Sequence, residues 1–431
     1  MKRVALLALL VVLAGCAAIG STGDSGSAAT PAGDLGVEAG YSYDDPVSVT
    51  VDDGLNATER DAVVARAMAR IERMRGLEFT ESVNVTVLSR AAYRDDQPFG
   101  SNATHSQWNN QVWEGLFIVG EDRDISDVFN ETYGGAVLGY YEPGSGDIVV
   151  VSDSETPTVD RDTLVHELVH ALQDQRFGLD ESPDTQDGQL ARNGVVEGEA
   201  SIIEDRYRAN CGESWECIES VPTSVAGGGV DRGLLDVVLY PYVVGPTFVE
   251  TLQNDSGWAA IDALHEDYPA STEQVTRPSL FPGEKPVNVS VTDRSNAEWE
   301  RFDHDPVADT VGQASLYVMF ADNGVIASGS GRYQHPATDG WAGDALVPYG
   351  NGDQYGYVWE LAWDTPEDAR EFDEAYRELL GRFGATRDGD VYTIPDSSTF
   401  GDAFRVTRDG TTVTIVNAPE VDQLDAVHRP E

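Results

Sequence analysis

One stretch constrains the fold more than any other: residues 163–173 carry the pattern His-Glu-Leu-Val-His among apolar residues. On a helix, His166 and His170 lie one turn apart on the same face, so both imidazoles can bind one zinc ion at about 2.0–2.1 Å. Glu167 would lie beside a zinc-bound water, whose pKa falls to about 7, and could accept its proton. The pattern predicts a helix that supplies two metal ligands and a general base.

A zinc site with two histidines is incomplete, because catalytic zinc usually has three protein ligands and a water. Residues 197–200, Glu-Gly-Glu-Ala, lie on a second predicted helix. They resemble the Glu-Gly-x-Ala segment of the gluzincin metallopeptidases, in which the first Glu binds the metal and Gly allows helices to approach closely. The resemblance implies Glu197 as the third ligand, with Glu199 and Glu204 as alternatives. A histidine ligand is not favoured, since Arg176 stands six residues after the second histidine.

Further side chains are candidates for supporting roles. Ligating histidines usually donate their second N–H to a carboxylate or carbonyl, and Asp174 and Glu204 could accept it, unless they are simply solvated charges. An oxyanion needs a donor such as Tyr, His or Arg. We select Tyr242 as this donor, with His265 and Arg277 as further candidates; a place in the hydrophobic core is the alternative role of Tyr242.

Five segments together resemble a group of exported gluzincin-like proteins. They are residues 166–175 (His-Glu-Leu-Val-His-Ala-Leu-Gln-Asp-Gln), 196–200 (Val-Glu-Gly-Glu-Ala), 240–245 (Tyr-Pro-Tyr-x-x-Gly), 271–274 (Ser-Thr-Glu-Gln) and 341–344 (Trp-Ala-Gly-Asp). The similarity extends over residues 60–425 and implies Zn²⁺ as cofactor and a peptide or protein as substrate. Bacterial relatives carry Leu-His-Pro after Ser-Thr-Glu-Gln, whereas Thr-Arg-Pro stands here at 276–278. This departure leaves open a non-catalytic surface lipoprotein with a structural or vestigial zinc site that binds a partner.

The charge of the chain limits its partners and its surroundings. Seventy-five acidic residues face 28 basic ones, so that the formal net charge is -47. Such a surface excludes nucleic acids and anionic lipid headgroups, which require positive patches. Strong self-repulsion is relieved by screening in molar salt, and the composition resembles that of haloarchaeal proteins. We therefore expect a salt-adapted protein.

The N-terminus predicts export and lipid anchoring. Lys2 and Arg3 precede an apolar run at 4–14, which is too short for a permanent membrane span. Leu-Ala-Gly-Cys at 13–16 resembles a lipobox, which implies lipidation at Cys16; an ordinary signal peptide with an incidental cysteine is the alternative. The protein would lie on the extracellular face of the cell membrane, in contact with the membrane only through its lipid.

Two other features agree with an extracellular location. Cys211 and Cys217 are the remaining cysteines, and their predicted disulfide would contribute about 2–3 kcal/mol. Six glycosylation sequons begin at Asn56, Asn84, Asn102, Asn130, Asn254 and Asn288.

Local patterns predict an α+β fold. The predicted elements are a helix at 57–75, a strand at 83–88, a hairpin at 137–142 and 147–151, an N-cap at Asp160, a helix at 305–323, and a C-terminal strand-and-helix unit with segments at 341–349, 357–363, 366–383, 391–394 and 411–417. We assign no structure to 101–111. The hairpin could offer an exposed edge to an extended peptide or be purely structural.

The chain is thus predicted to have four parts. They are a lipoprotein signal peptide (1–16), a flexible tether rich in small and polar residues (17–40), a zincin-like domain of antiparallel strands and active-site helices (41–290), and a C-terminal unit packed on it (291–431).

Overall fold

The computed structural model describes residues 34–46, 49, 54–95, 103–133, 137–154, 156–157, 159–220, 231–327 and 331–430. Both helices and strands are abundant there, so the α+β class is confirmed. The helices are α1 (Ala57–Arg75), α2 (Arg90–Asp95), α3 (Ala103–Gly115), α4 (Ile125–Tyr133), α5 (Arg161–Phe177), α6 (Gln186–Asn210), α7 (Arg232–Val238), α8 (Tyr240–Ser256), α9 (Trp258–Glu266), α10 (Thr272–Thr276), α11 (Gly312–Asp322), α12 (Pro366–Arg382) and α13 (Leu424–Val427). The strands are β1 (Val37–Glu38), β2 (Tyr41–Ser42), β3 (Val85–Leu88), β4 (Gly139–Glu142), β5 (Asp147–Val151), β6 (Glu300–Arg301), β7 (Trp341–Asn351), β8 (Gln354–Trp363), β9 (Thr386–Asp388), β10 (Val391–Thr393), β11 (Ala403–Asp409) and β12 (Thr412–Ala418).

A small mixed sheet lies beside α5. Its strand order is β3-β5-β4, with β3 parallel and β4 antiparallel to β5. The predicted hairpin is confirmed, but the expectation of antiparallel strands is wrong for β3. One hydrophobic core joins the sheet to three helices, through Val64 of α1, Ile148 of β5, Leu168 of α5 and Ile203 of α6. This packing fixes α5 between the sheet and α6.

A larger antiparallel sheet occupies the C-terminal region. Its seven strands follow the order β6-β7-β8-β12-β11-β10-β9, and α12 packs on it through Phe372 and Leu379. The same core contains Trp359 of β8, Val112 of α3 and Phe248 of α8. The hydrophobic core is therefore continuous across the predicted boundary at residues 290–291.

One prediction from local pattern is wrong, and one segment to which the sequence analysis assigns no structure is helical. The helix predicted at 305–323 begins only at Gly312, because Asp309 forms an antiparallel bridge with Leu346 of β7. Residues 101–111, left unassigned, belong largely to α3, whose apolar residues Trp108 and Val112 face the core. The helical spacing of those residues continues past residue 111, so the segment 101–111 alone does not display it.

The first described residues, 34–40, belong to the predicted tether, yet they already pack against α1. Strands β1 and β2 form a hairpin beside α1, and the Gly36 N–H donates to Glu72 at 2.8 Å.

Cys16 and the predicted signal peptide lie outside the described residues. Cys211 and Cys217 form a disulfide. Within the described ranges, no helix has both the length and the apolar character required to cross a membrane.

Candidate metal centre

Helix α5 holds both histidines in the protein interior. The side chain of Asp160 accepts a hydrogen bond from the N–H of Thr163, so the predicted N-cap is confirmed. Apolar residues on nearly every face bury the middle of the helix, and His166 and His170 are 5 % and 0 % exposed. Their ring centroids lie 4.8 Å apart, nearly perpendicular. Local helix geometry thus gives the side-by-side placement that the spacing predicts.

Helix α6 brings Glu197 to the two histidines. Its Oε2 lies 2.9 Å from Nε2 of His166 and 3.3 Å from Nε2 of His170. One ligand atom from each of these three side chains lies within 4.8 Å of the other two. Glu197 is 3 % exposed. The three predicted ligands therefore form one buried cluster, although they come from two helices.

Close packing of α6 on α8 positions the second helix. A Cβ added to Gly198 would come 2.5 Å from the backbone of Gly245, and a Cβ on Gly245 would come 2.2 Å from the carbonyl oxygen of Gly194. Any larger residue at these contacts would force the helices apart. The glycines of the Glu-Gly-Glu-Ala and Tyr-Pro-Tyr-x-x-Gly segments thus meet each other.

The outer nitrogens of both histidines have partners. His166 Nδ1 lies 3.2 Å from Glu204 Oε2, in the supporting role predicted for Glu204. His170 Nδ1 lies 2.9 Å from Oε1 of Gln173. The amide nitrogen of Gln173 donates to the carbonyl of Val196 and to a carboxylate, so its oxygen must accept the histidine proton.

The supporting role predicted for Asp174 is wrong, and the sequence reading missed Gln173. Asp174 instead accepts hydrogen bonds from the Tyr141 hydroxyl at 2.6 Å and from the Leu179 N–H at 2.7 Å. Gln173 lies three residues after His170 on the same helix, a spacing that places the two side chains together. This spacing is visible in the sequence, and the oxygen of a side-chain amide can accept the histidine N–H as a carboxylate does.

This arrangement fits a metal ion. Because each Nδ1 donates outward, each neutral histidine presents the lone pair of Nε2 to Glu197. His170 Nε2 is buried and makes no hydrogen bond of good geometry. Three acceptor atoms facing one another need a cation or protons between them. Two imidazole nitrogens and one carboxylate oxygen are a donor set of catalytic zinc sites.

The pKa values of His166 and Glu197 are shifted by the close contacts within this buried cluster. Burial alone would lower the pKa of His166, but hydrogen bonds to Glu197 and Glu204 outweigh it and raise that pKa well above its usual range. Burial would raise the pKa of Glu197, yet the charge of His170 and the hydrogen bond from His166 lower it to about 2. A metal ion held by these three side chains would compete with protons for the same lone pairs.

Glu167 is held next to this cluster with its two oxygens in different environments. Oε2 accepts a hydrogen bond of 2.7 Å from the backbone N–H of Tyr141 in β4. Oε1 is buried and has no hydrogen-bond partner. Burial, more than any nearby charge, raises the pKa of Glu167 to about 7. Such a carboxylate is suited to exchange a proton near neutral pH.

The alternative third ligand, Glu199, is engaged elsewhere. It forms a buried ion pair with Arg75 and lies 2.6 Å from Nε2 of His265. His265 stacks on Phe177 with ring centroids 4.4 Å apart. The structure therefore makes His265 a partner of Glu199 and does not bring it to the three-ligand cluster.

Of the candidate donors, Tyr242 is the one beside the cluster. Its ring stacks on His166 with centroids 6.1 Å apart. Arg277 forms ion pairs with Glu273, at 3.6 Å, and with Asp339.

Strand β4 lies at a sheet edge, but the N–H of Tyr141 on this strand already donates a hydrogen bond to Glu167. The hairpin therefore supports the site from one side at this position.

Fold and site together define a class: an α+β protein in which two packed helices assemble two histidines and a glutamate in one buried cluster. A family model described as "Domain of unknown function (DUF8575)" matches residues 300–428. The match spans β6 to α13, so the His166, His170 and Glu197 cluster lies outside it. No curated protein and no solved structure matches the chain.

Proposed function

We propose that this chain is a zinc-dependent, gluzincin-like peptidase of the cell surface. The observation that carries the proposal is the position of Glu167, which lies beside the His166, His170 and Glu197 cluster with one buried oxygen that has no partner. Burying such an atom is costly, and a general base must have an accessible lone pair to receive a proton. A zincin-like arrangement of the N-terminal region is part of this proposal.

The residues would divide the work as follows. His166, His170 and Glu197 would hold the zinc ion, which supplies a polarised water and a Lewis acid for the substrate carbonyl. Glu167 would accept a proton at Oε1 while Tyr141 keeps Oε2 in place. Tyr242, next to His166, would donate a hydrogen bond to the developing oxyanion.

The cluster also bears on whether the site is catalytic. Structural zinc sites are usually closed by four protein ligands. Among the described residues, this group of candidate ligands has three members. That number favours a site with an open position. A non-catalytic zinc protein that binds a partner is the second candidate, favoured by the engagement of His265 with Glu199 and of Arg277 with Asp339.

The direct test compares wild type with Glu167→Gln, both prepared without the signal peptide in molar salt. Bound zinc is measured by elemental analysis and cleavage with a mixture of quenched peptides. We expect one zinc per chain in both, and a loss of cleavage of about 10²-fold or more in the variant. Glu181→Gln, at an exposed site, is the matched control. Wild type without stoichiometric metal would rule out the proposal, whereas metal without turnover would favour the partner-binding alternative.

The cellular setting is a separate part of the proposal. We infer export, lipid anchoring at Cys16 and a salt-adapted surface, supported by the lipobox-like segment and the net charge of -47. The test is cell fractionation of Cys16→Ser beside wild type. Release of the variant from the membrane fraction is expected, and equal retention of both would exclude anchoring at this cysteine.

A further inference from the structure

Glu199 is a buried carboxylate that lies next to the metal centre without belonging to its three candidate ligands. It is 1 % exposed and follows Glu197 by two residues on α6. Three donors surround it: Arg75 contacts Oε1, while Oε2 lies 2.6 Å from Nε2 of His265 and 2.9 Å from the side-chain nitrogen of Gln173. The last of these contacts connects Glu199 to a metal ligand, because Gln173 is also the partner of a histidine in the cluster.

Glu199 determines which way the amide of Gln173 points. The amide nitrogen donates to Glu199 Oε2 and, at 3.0 Å, to the carbonyl oxygen of Val196. Arg75 is always protonated and favours the charged form of Glu199, so both partners of the amide can only accept. Turning the amide by 180° would set its oxygen against a carbonyl oxygen and a buried negative charge, which is repulsive. Gln173 is 1 % exposed, so this repulsion could not be relieved by solvent.

The orientation of this amide sets the tautomer of His170. The amide oxygen of Gln173 faces Nδ1 of His170 at 2.9 Å, and an amide oxygen only accepts. Neutral His170 therefore carries its proton on Nδ1, and Nε2 presents a lone pair 3.3 Å from Glu197. With the amide reversed, its NH₂ group would face Nδ1 and the proton would move to Nε2. A proton there would compete directly with a metal ion.

We propose that Glu199 is a positioning residue of the zinc site, whose charge holds the amide of Gln173 in the orientation that keeps Nε2 of His170 free for the metal ion. The inference deepens the proposed function and rests on it, because it requires that the histidine cluster binds zinc. Glu199 acts through two successive hydrogen bonds and touches neither the metal ion nor the substrate.

Two further helices hold Glu199 in this place. Arg75, the last residue of α1, is 2 % exposed and also contacts Asp262 of α9 at 2.5 Å. His265 of α9 lies with Nδ1 3.1 Å from the hydroxyl of Tyr268, so Nε2 carries the proton that Glu199 accepts. A buried ion pair contributes little net stability, because desolvation offsets its attraction. The position of this pair beside the partner of a metal ligand therefore points to a role in orientation.

The rival explanation is an ion pair that only joins α1 to α6. Breaking such a pair would destabilise the metal-free protein, and any effect on zinc affinity would not depend on Gln173. A positioning role predicts the opposite dependence, because Glu199 then influences the metal ion only through the Gln173 amide. The two explanations differ in the coupling between positions 173 and 199.

The test is a double-mutant cycle on zinc affinity with Glu199→Gln, Gln173→Leu and the variant that carries both. Competition with a chromophoric chelator gives the Kd in constant molar salt. We expect each single substitution to raise the zinc Kd by about 10-fold or more. The combined variant should match Gln173→Leu to within about twofold, since the amide through which Glu199 acts is already absent. Glu72→Gln is the matched control and should keep the wild-type Kd: Glu72 is also 1 % exposed and accepts hydrogen bonds from the N–H groups of Gly36 and Phe79.

Glu199→Asp keeps the proposal testable if Glu199→Gln does not fold. Aspartate preserves the charge opposite Arg75 but is one methylene shorter, so the contact with Gln173 is lost. Its zinc Kd should rise by about 10-fold, and this effect should disappear in the Gln173→Leu background. Losses that multiply in the combined variant, or a wild-type Kd for Glu199→Asp, would overturn the proposal and leave the peptidase function standing. Zinc binding without peptide cleavage in wild type would overturn the peptidase function alone, and wild type without zinc would overturn both.

Discussion

The backbone N–H of Tyr141 donates a hydrogen bond of 2.7 Å to Oε2 of Glu167, and thereby ties strand β4 to helix α5 beside the histidines. The hydroxyl of the same tyrosine donates to Asp174 at 2.6 Å, two turns further along α5. Tyr141 therefore contacts one face of the helix at two points. The hairpin fixes the orientation of Glu167, and Oε1 of this carboxylate takes no part in the hydrogen bond to Tyr141.

The ligand cluster predicts a graded loss of metal on substitution. His170→Ala and Glu197→Gln remove proposed ligands and should abolish stoichiometric zinc binding. Glu204→Gln removes the partner of His166 Nδ1 and should weaken zinc affinity by about 10–100-fold, as outer partners of metal ligands usually do. Competition with a chromophoric chelator measures these affinities. Glu250→Gln, at an exposed position of α8, is the control. Equal losses in Glu204→Gln and the control would contradict the role of Glu204.

The contact between α6 and α8 predicts a strong effect of one methyl group. Gly245→Ala places a Cβ within 2.2 Å of the Gly194 carbonyl oxygen, so the helices must separate. We expect a loss of about 1–3 kcal/mol in the free energy of unfolding, and weaker zinc binding because Glu197 lies on α6. Gly381→Ala in α12, where a Cβ meets nothing within 4 Å, should be neutral or stabilise by up to about 1 kcal/mol. Denaturant unfolding in constant salt measures both, and an unaffected Gly245→Ala would disprove the close contact.

The parts of the site that the sequence predicted are those set by short-range geometry or by a recognised segment. The spacing of His166 and His170 places both on one helix face whatever surrounds the helix. Glu197 lies on another helix, and only the resemblance to the gluzincin segment indicates it, since no local rule relates residues 170 and 197. The supporting contacts are less predictable: the charge of Asp174 favours it as the partner of His170, but Gln173 makes the contact.

Tertiary pairing also overrode local pattern in the fold. Residues 305–311 continue the apolar spacing of α11, yet the backbone of Asp309 pairs with Leu346 in β7. Strand β3 was predicted from its alternating valines, but its parallel pairing with β5 depends on the path of the chain through α2 to α4. In both cases the pairing partner is distant in the sequence, so local secondary-structure propensity does not predict the pairing.

A buried carboxylate in the large sheet should be sensitive to loss of charge. Asp344 accepts hydrogen bonds from the N–H groups of Val311 and Gly312 and from the indoles of Trp341 and Trp359, at 2.9–3.3 Å. Asp344→Asn would set an NH₂ group against two donors, so we expect a loss of about 2–4 kcal/mol in stability. Asp353→Asn, in the exposed turn between β7 and β8, is the control in the same unfolding assay. Equal stabilities of the two variants would show that the four donors do not need the charge.

Two other buried carboxyls predict how stability changes with pH. Burial raises the pKa of Asp187 and of Asp309 to about 7, from 3.8 in an unfolded chain. Between these values the folded state binds more protons than the unfolded state, so raising the pH destabilises it by up to about 1.4 kcal/mol per pH unit for each group. The effect is complete above pH 7. Asp309→Asn should therefore show a shallower fall in unfolding free energy from pH 5 to 7 than wild type, measured at constant molar salt, whereas Asp353→Asn should keep the wild-type slope. An equal or steeper fall in Asp309→Asn would mean that Asp309 is ionised in the folded protein throughout this range.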